Sequence, residues 1–408
     1  MRPIPCLIPR FNQDYTFKDF YYALKSIFSR ENFDLKSLES IFGKRTFLFT
    51  NSGRSSLYVI LKALNLPKGS KIGVPLYSCT VVFDAIVNAG HVPCFIDIDF
   101  DNYTMDPYDL EEKIDDLSAV VVIHTFGRPA DMDRIRKIAD DKPVIEDCAH
   151  SLLSEYKGKK TGTLGDGSFF SLAKYISAGE GGMIILNNNN LVDTVQREIG
   201  ILDNYSTLNE IKHSLKVYTR SFFYHKPWFG LFALPIGLAI EDKVDLMNKR
   251  GFRPSKIRKS DLGVMLKKIS SFKRKVEIQR KNSIFLIEEL KDTPLILPYE
   301  NKDTYCNYYL FPVVFRNKEE RDLACDFLRK KGVDTAKLYC ETPLKAKQYY
   351  GYTGNCANTE KLVNTLLKLS IVFLRCLSLL IPATIIPCVR SKNYEYLYER
   401  RISVKEGI

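Results

Sequence analysis

The 408-residue chain is 45% hydrophobic, 12% aromatic and 26% charged, with 22 Gly and 18 Pro. That composition excludes a mainly disordered, collagen-like or low-complexity chain, and the length suits two or three domains that need no metal or disulfide staple. The formal net charge of +12 admits nucleic acid, a membrane surface or a phosphorylated substrate as partner, and the total does not choose among them.

The first residues, MRPIPCLIPRFNQDYTF, carry apolar runs too short and too broken by Pro for a signal peptide. The ten cysteines form no CxxC pair and meet no His at a zinc spacing, so reduced thiols, no metal and a cytoplasmic address are expected. Residues 18–30 pattern as an amphipathic helix. From residue 45 short apolar strands alternate with helical stretches. RTFLFT (45–50) is followed by a helix opening at Gly53, KIGVPLY (71–77) by helix 79–89, and VPCFIDID (92–99) by helix 107–115. AVVVIHT (119–125) is followed by helix 131–140, and then come the strands PVIED (143–147), FFSLA (169–173) and GGMIILN (181–187). This alternation predicts parallel βα units with helices on both faces of the sheet. The pattern changes at about 190. Residues 221–240 are apolar and aromatic, and a long helical pattern then runs from 261 to about 290. A strand at 306–315 and a helix at 319–332, ended by Gly332, complete a smaller α+β unit. The expected division is a large domain over 1–250 and a small one over 251–408.

Three places carry chemistry. Asp147 ends a parallel strand, where open α/β sheets place ligands, although a strand-end Asp is also a common turn cap. Lys174 follows an apolar strand and enters a loop before Gly179-Glu180-Gly181-Gly182. Burial there would suit a Schiff-base amine, while a solvated loop lysine is the commoner case. In TNSGRSSL (50–57) a strand, a Ser-Gly-Arg-Ser turn and a helix make an anion site or, more plainly, an ordinary Ser cap.

Taken together with VPLYSCTVVFDAIVNAGHVPCFIDIDFDNYTMDP, HTFGRPADMD, VIEDCAHSLLSEYKGKKTGTLGD and AGEGG, these blocks resemble the DegT/DnrJ/StrS family of sugar aminotransferases. The resemblance runs from about residue 45 to 200 and more weakly to 370. It implies the fold-type I architecture: a mostly parallel seven-stranded sheet flanked by helices, with a smaller α+β C-terminal domain. It also implies pyridoxal 5'-phosphate as cofactor. Lys174 would bind it covalently and move the proton, and Asp147 would pair with the pyridinium nitrogen. His150 would meet the ring oxygen, and Gly53, Arg54 and Ser55 would hold the phosphate.

The chain departs from the family pattern in four places. Asp166 and Lys174 stand two residues closer than is usual, which leaves Ser168 or Ser171 for the phosphate, with Ser171 preferred. The aromatic that stacks on the ring falls to Tyr77 or, by strict spacing, to Cys79. The family Asn that reaches a neighbouring subunit's phosphate is replaced by Lys256. The C-terminal Leu-Pro-x-His-Pro stretch is absent, and residues 371–389 are instead apolar over a length that raises a transmembrane helix against a small-domain strand or helix. Arg375, Pro382 and Pro387 in it disfavour the former.

The charge is concentrated. Thirteen Lys/Arg against Asp261 and Glu277 give residues 249–281 a net of +11. With the aromatic segment 221–240 just before it, this stretch suggests contact with anionic headgroups on the inner face of a membrane, although a dimer interface or added core explains the aromatics as well. Lys/Arg near 253–259 also suit a substrate diphosphate. No nucleic-acid module accompanies the basic run. The expectation is a homodimeric aminotransferase that moves an amino group from an amino acid, glutamate first, to a nucleotide-linked keto sugar for surface polysaccharide or glycoconjugate synthesis. A degenerate scaffold homologue, or a sugar dehydratase using the same cofactor, is the alternative. Lys174 argues against the dehydratase, whose variants of this fold carry His at that position.

Overall fold

A computed structural model describes Leu7, Pro9 and residues 13–30, 33–241 and 253–369. The apolar stretch 371–389 lies outside the described residues. Two helices, α1 (Phe17–Phe28) and α2 (Lys36–Phe42), precede a seven-stranded sheet. In chain order its strands are β1 (Thr46–Thr50), β2 (Lys71–Pro75), β3 (Val92–Ile96), β4 (Ala119–Ile123), β5 (Val144–Asp147), β6 (Gly167–Ser171) and β7 (Gly182–Leu186). In space they run β1-β7-β6-β5-β4-β2-β3. Only β7 is antiparallel, paired with β1 on one side and β6 on the other. The remaining neighbours, β6-β5-β4-β2-β3, pair in parallel.

The strands are short, β-branched and apolar because both faces are covered. In β4 every residue is buried. Its alternate side chains enter different cores. Val121 and Ile123 join α3 (Gly53–Ala63) and α4 (Thr80–Asn88) through Leu57, Ile60, Phe83 and Ile86. Val120 and Val122 join α5 (Pro107–Lys113) and α6 (Met132–Ala139) through Leu110, Met132 and Ile135. Each such aliphatic side chain contributes about 1.5–3 kcal/mol on full burial. A third cluster sets Phe170, Met183 and Ile185 against Ala23 of α1.

The long helical pattern after 261 is two helices. One spans Lys259–Ile269 and the other Phe272–Leu290, with a break at Ser270-Ser271. Leu262, Val264, Met265 and Ile269 of the first pack into the cluster that holds Phe170 and Met183. A separate core begins at Leu286 and gathers Phe311, Val313, Leu328, Leu367 and Leu369. The strand read over 306–315 is confined to Phe311–Val314, paired antiparallel with Leu366–Leu369. The helix read over 319–332 spans Lys318–Lys330, and Gly332 follows it at φ +85°, the left-handed closure that favours glycine.

Part of the basic stretch is turned inward, while Arg253, Lys259, Lys273, Arg274 and Lys281 stay exposed. Arg253 bonds Asp203, Arg258 bonds Glu180, Lys268 bonds Asp14 and Asp19, Lys275 bonds Asp14, and Arg280 bonds Glu300 through both terminal nitrogens. Burial pushes the Asp14 carboxyl up, but Lys275 and Lys268 outweigh it and hold its pKa at about 2. Part of a run that is +11 along the chain is therefore closed by distant acids. Among the described residues no helix is long and apolar enough to cross a membrane.

Candidate active site

A cleft opens at the C-terminal ends of β2, β4, β5 and β6 and is lined by Gly53, Arg54, Tyr77, Cys79, Thr125, Asp147, His150, Ser171, Lys174 and Tyr339, among others. Parallel topology explains the place. Each strand end releases its chain into a loop on the same edge, so side chains far apart in sequence converge there.

Lys174 is not in a loop but on the single helical turn Leu172–Tyr175 that follows β6. Its Nζ lies 3.2 Å from His150 Nε2. The residue remains exposed in the single chain, so the desolvation expected from its apolar strand is not what marks it out. Its neighbours are. His150 is buried, its ring stacked 6.3 Å from Phe126 and tilted 5.4 Å from Tyr309. Burial, with the Lys174 and Lys368 cations, holds its pKa well below the ordinary imidazole range. The amide N–H of Phe126 donates to Nδ1 at 3.4 Å, which leaves the ring proton on Nε2, facing Lys174. Asp147 accepts from the Ala149 N–H at 2.8 Å. Burial pushes its carboxyl up, and the Lys174 charge opposes that rise.

The N-terminus of α3 faces the same space. Ser52 caps it, accepting from Ser55 N–H at 3.2 Å. A methyl group on Gly53 would stand 3.2 Å from Ser171 Cβ, so glycine keeps the helix end and Ser171 close together. Ser55 does not line the cleft: its N–H and hydroxyl are both directed to Ser52. Ser168 faces away, donating to the Gly162 carbonyl at 2.9 Å, and of the two only Ser171 is in the lining. Tyr77 and Cys79 both line the cleft, and the Tyr77 ring packs edge-on against Tyr339 and Phe126. Lys256 does not join them. It lies beyond β1, beside Tyr205, Glu210 and Lys259 in a second hollow.

Tyr339 and Asn307, in or against the site, carry no sequence signal, and Thr125 lies in the HTFGRPADMD block with no role marked for it. Tyr339 arrives from the C-terminal unit at φ +57°. Thr125 follows β4. Asn307 is fully buried and donates to the carbonyls of His150 and Leu152, fixing the loop that carries the imidazole.

The wall fits an aromatic, phosphorylated group. Tyr77 Oη and Thr125 Oγ1 are buried without a hydrogen-bond partner among the described residues, and buried polar atoms of this kind ordinarily have one. A helix N-terminus with an adjacent serine suits a phosphate. A carboxylate at a strand end suits a protonated ring nitrogen.

Strand alternation sends Glu146 to the opposite face from Asp147. Glu146 accepts from the amides of Gly162, Leu164 and Gly165, and pairs with His124 Nε2 at 2.9 Å. Cys148 lies close enough for the three to share an ion, but Ala130 N–H already donates to His124 Nδ1. The arrangement is a bonded strut behind Asp147. Glu146→Ala strands two buried amides and one half-buried one and should cost about 3 kcal/mol. Glu146→Gln, with one acceptor oxygen, should recover part of that. Thermal unfolding of the three proteins measures it, and an unchanged Glu146→Ala would overturn the account.

Comparison with known proteins follows the same lines. Residues 31–374 match the model of the DegT/DnrJ/EryC1/StrS aminotransferase family. A GDP-perosamine synthase from Escherichia coli O157:H7 is 28% identical over 295 residues, 71% of this chain and 70% of that one. The spore coat polysaccharide biosynthesis protein SpsC of Bacillus subtilis is 30% identical over 166 residues, 40% of this chain and 43% of its own length. A putative sugar aminotransferase from Streptococcus pneumoniae, solved in its PLP form, superposes with a TM-score of 0.72 at 17% identity, covering 94% of this chain and 98% of that one. At that identity the superposition speaks for the fold.

Proposed function

The chain belongs to the DegT/DnrJ/EryC1/StrS aminotransferase family, and we propose that it transfers the amino group of glutamate to a nucleotide-linked keto sugar destined for surface polysaccharide or glycoconjugate. The aminotransferases of this family use pyridoxal phosphate. The single observation that carries the reading is the Lys174 amine, 3.2 Å from His150 and beside Asp147, in a cleft whose wall includes a helix N-terminus.

Gly53, Arg54 and Ser171 would hold the cofactor's phosphate, with Ser55 stiffening that turn through Ser52. Asp147 would keep the ring nitrogen protonated, His150 would face the ring oxygen, and Tyr77 would lie against the ring. When bound, the cofactor supplies an electron sink for the carbon that loses its proton. Lys174 Nζ takes that proton from one carbon and returns it to another, so one base serves both halves of the exchange. His150 Nε2, 3.2 Å from Lys174 Nζ, would orient that amine, whose unprotonated form attacks a carbonyl carbon.

The working unit is proposed to be a cytoplasmic homodimer in which Lys256 reaches the neighbouring subunit's phosphate. The position of Lys256 outside its own chain's cleft supports this. Contact with the inner face of a membrane through the aromatic segment 221–240 belongs to the same proposal, supported by the rings left exposed there. Arg253 and Arg258, suggested for a substrate diphosphate, already bond Asp203 and Glu180.

The test is incubation of the cofactor-loaded protein with L-glutamate and a panel of nucleotide-linked keto sugars. Mass spectrometry should find an amino sugar together with 2-oxoglutarate. A protein that takes up no cofactor and aminates no member of the panel ends the proposal.

A further inference from the structure

Residues 221–240 were legible as an apolar insertion; how the fold divides them is new. Phe229 and Leu234 turn inward and form a small cluster with Leu7. Helix Thr207–Phe223 ends at the cluster's edge, and Phe222, Trp228, Phe232 and Ile236 point outward, between 37% and 56% exposed. The rings are not scattered. Phe222 stacks on Trp228 at 6.0 Å, and Trp228 on Phe232 at 5.9 Å. The inner residues anchor the segment, so its outer ridge is not needed for the core. A contiguous exposed ridge of this size marks an interaction surface.

The ridge continues. Leu208, Leu215 and Phe222 are exposed and seven residues apart on the helix, which sets them along one stripe. Tyr218 meets Phe17 of α1 at 6.2 Å, and α1 adds exposed Tyr21 and Phe28.

Charge selects the occupant. From Ile211 to Ile240 every charged residue is a cation: Lys212, Lys216, Arg220 and Lys226. All four are exposed, and the first three are four residues apart, flanking the apolar stripe. On α1, Lys18 and Lys25 are exposed while the acid, Asp19, is buried against Lys268. A second copy docked by a two-fold axis would bring the same cations face to face, which disfavours self-association. Single-stranded nucleic acid would use the rings and cations but has no use for Leu208, Leu215 and Ile236, since it stacks bases on aromatic faces. An anionic bilayer surface uses all three features: rings at headgroup depth, aliphatic tips below them and cations over the phosphates.

We infer that this face seats the protein peripherally on an anionic lipid surface, with Phe222, Trp228, Phe232 and Ile236 inserted and Lys212, Lys216, Arg220 and Lys226 over the headgroups. The inference extends the membrane contact proposed above to a defined lipid chemistry and a defined set of residues. It moves the cationic part from 249–281, where Arg258, Lys268, Lys275 and Arg280 are closed by internal acids, to residues 212–226. It does not depend on the aminotransfer chemistry.

Trp228 is the only tryptophan in the chain, so the full-length, cofactor-loaded protein carries its own reporter. Vesicles of phosphatidylcholine with phosphatidylglycerol should shift its emission to the blue and carry the protein upward on flotation at low salt. Pure phosphatidylcholine vesicles should do neither. Lys212→Glu/Lys216→Glu/Arg220→Glu should weaken partition about tenfold or more while leaving cofactor uptake unchanged. Phe232→Ser/Ile236→Ser should weaken it comparably. The inference is overturned by an unshifted Trp228 with anionic vesicles at low salt. Equal binding of the triple charge variant also overturns it. So does a blue shift that needs only higher protein concentration, or one that an oligonucleotide reproduces. Amination measured in the same preparations separates failure here from failure of the assigned chemistry.

Discussion

Lys174→Ala is expected to lower amination by about 10⁴-fold or more, because it removes both the covalent attachment point and the group that moves the proton. Lys174→Arg should fare no better, since a guanidinium keeps the charge but neither attacks a carbonyl nor gives up its proton near neutral pH. Neither change should disturb folding. The side chain leaves a single helical turn, is exposed, and its hydrogen bond runs to His150. The purified variants should still take up cofactor through α3, Ser171 and Asp147, but without the visible absorbance of a lysine-linked form. Steady-state amination together with that spectrum makes the check. A Lys174→Ala protein retaining a hundredth of wild-type turnover would remove Lys174 from the role given to it.

The second large effect is expected at Asp147. Asp147→Asn preserves the outline of the side chain and can still accept from Ala149 N–H, but it carries no charge with which to hold a proton on a ring nitrogen. Loss of a preorganised charge of this kind should lower kcat by about 10²–10³-fold, with weaker cofactor retention. Stability should move the other way. Burial raises the Asp147 carboxyl above its ordinary value, so the folded chain binds this proton more tightly than the unfolded one. Stability from this group is then present at low pH and declines as pH rises through the raised value. Asn removes that decline. A variant slow in catalysis yet at least as heat-stable as the wild type at neutral pH supports a functional role. One that unfolds early marks Asp147 as structural.

The sheet was legible because its strands are short apolar runs closed by turn residues, and all seven lie where the alternation places them. Asp147 was legible for the same reason: a carboxylate ending VIED has only the strand's C-terminal edge to occupy. Between Ser168 and Ser171 the residues alone favour Ser171; in the fold Ser168 turns to the Gly162 carbonyl while Ser171 lines the cleft. Tyr339 and Asn307 had no local signature. Each reaches the site from the C-terminal part of the chain, and chain distance hides what the fold brings together. The basic stretch shows the same limit. Lys268 and Lys275 read as surface charge until Asp14, more than 250 residues away, closes on them. The helix break at Ser270-Ser271 hides in an unbroken apolar pattern, since two serines cost a helix little by propensity alone.

Trp228 has a consequence for anyone following the unfolding of this protein by light. The only indole sits on an outward ridge, stacked on Phe222 and Phe232 and anchored by Phe229 and Leu234. Its emission is a gauge of that ridge and not of the molecule. A denaturation curve recorded there would follow the surroundings of this ridge, and a second probe would be needed to follow the two cores.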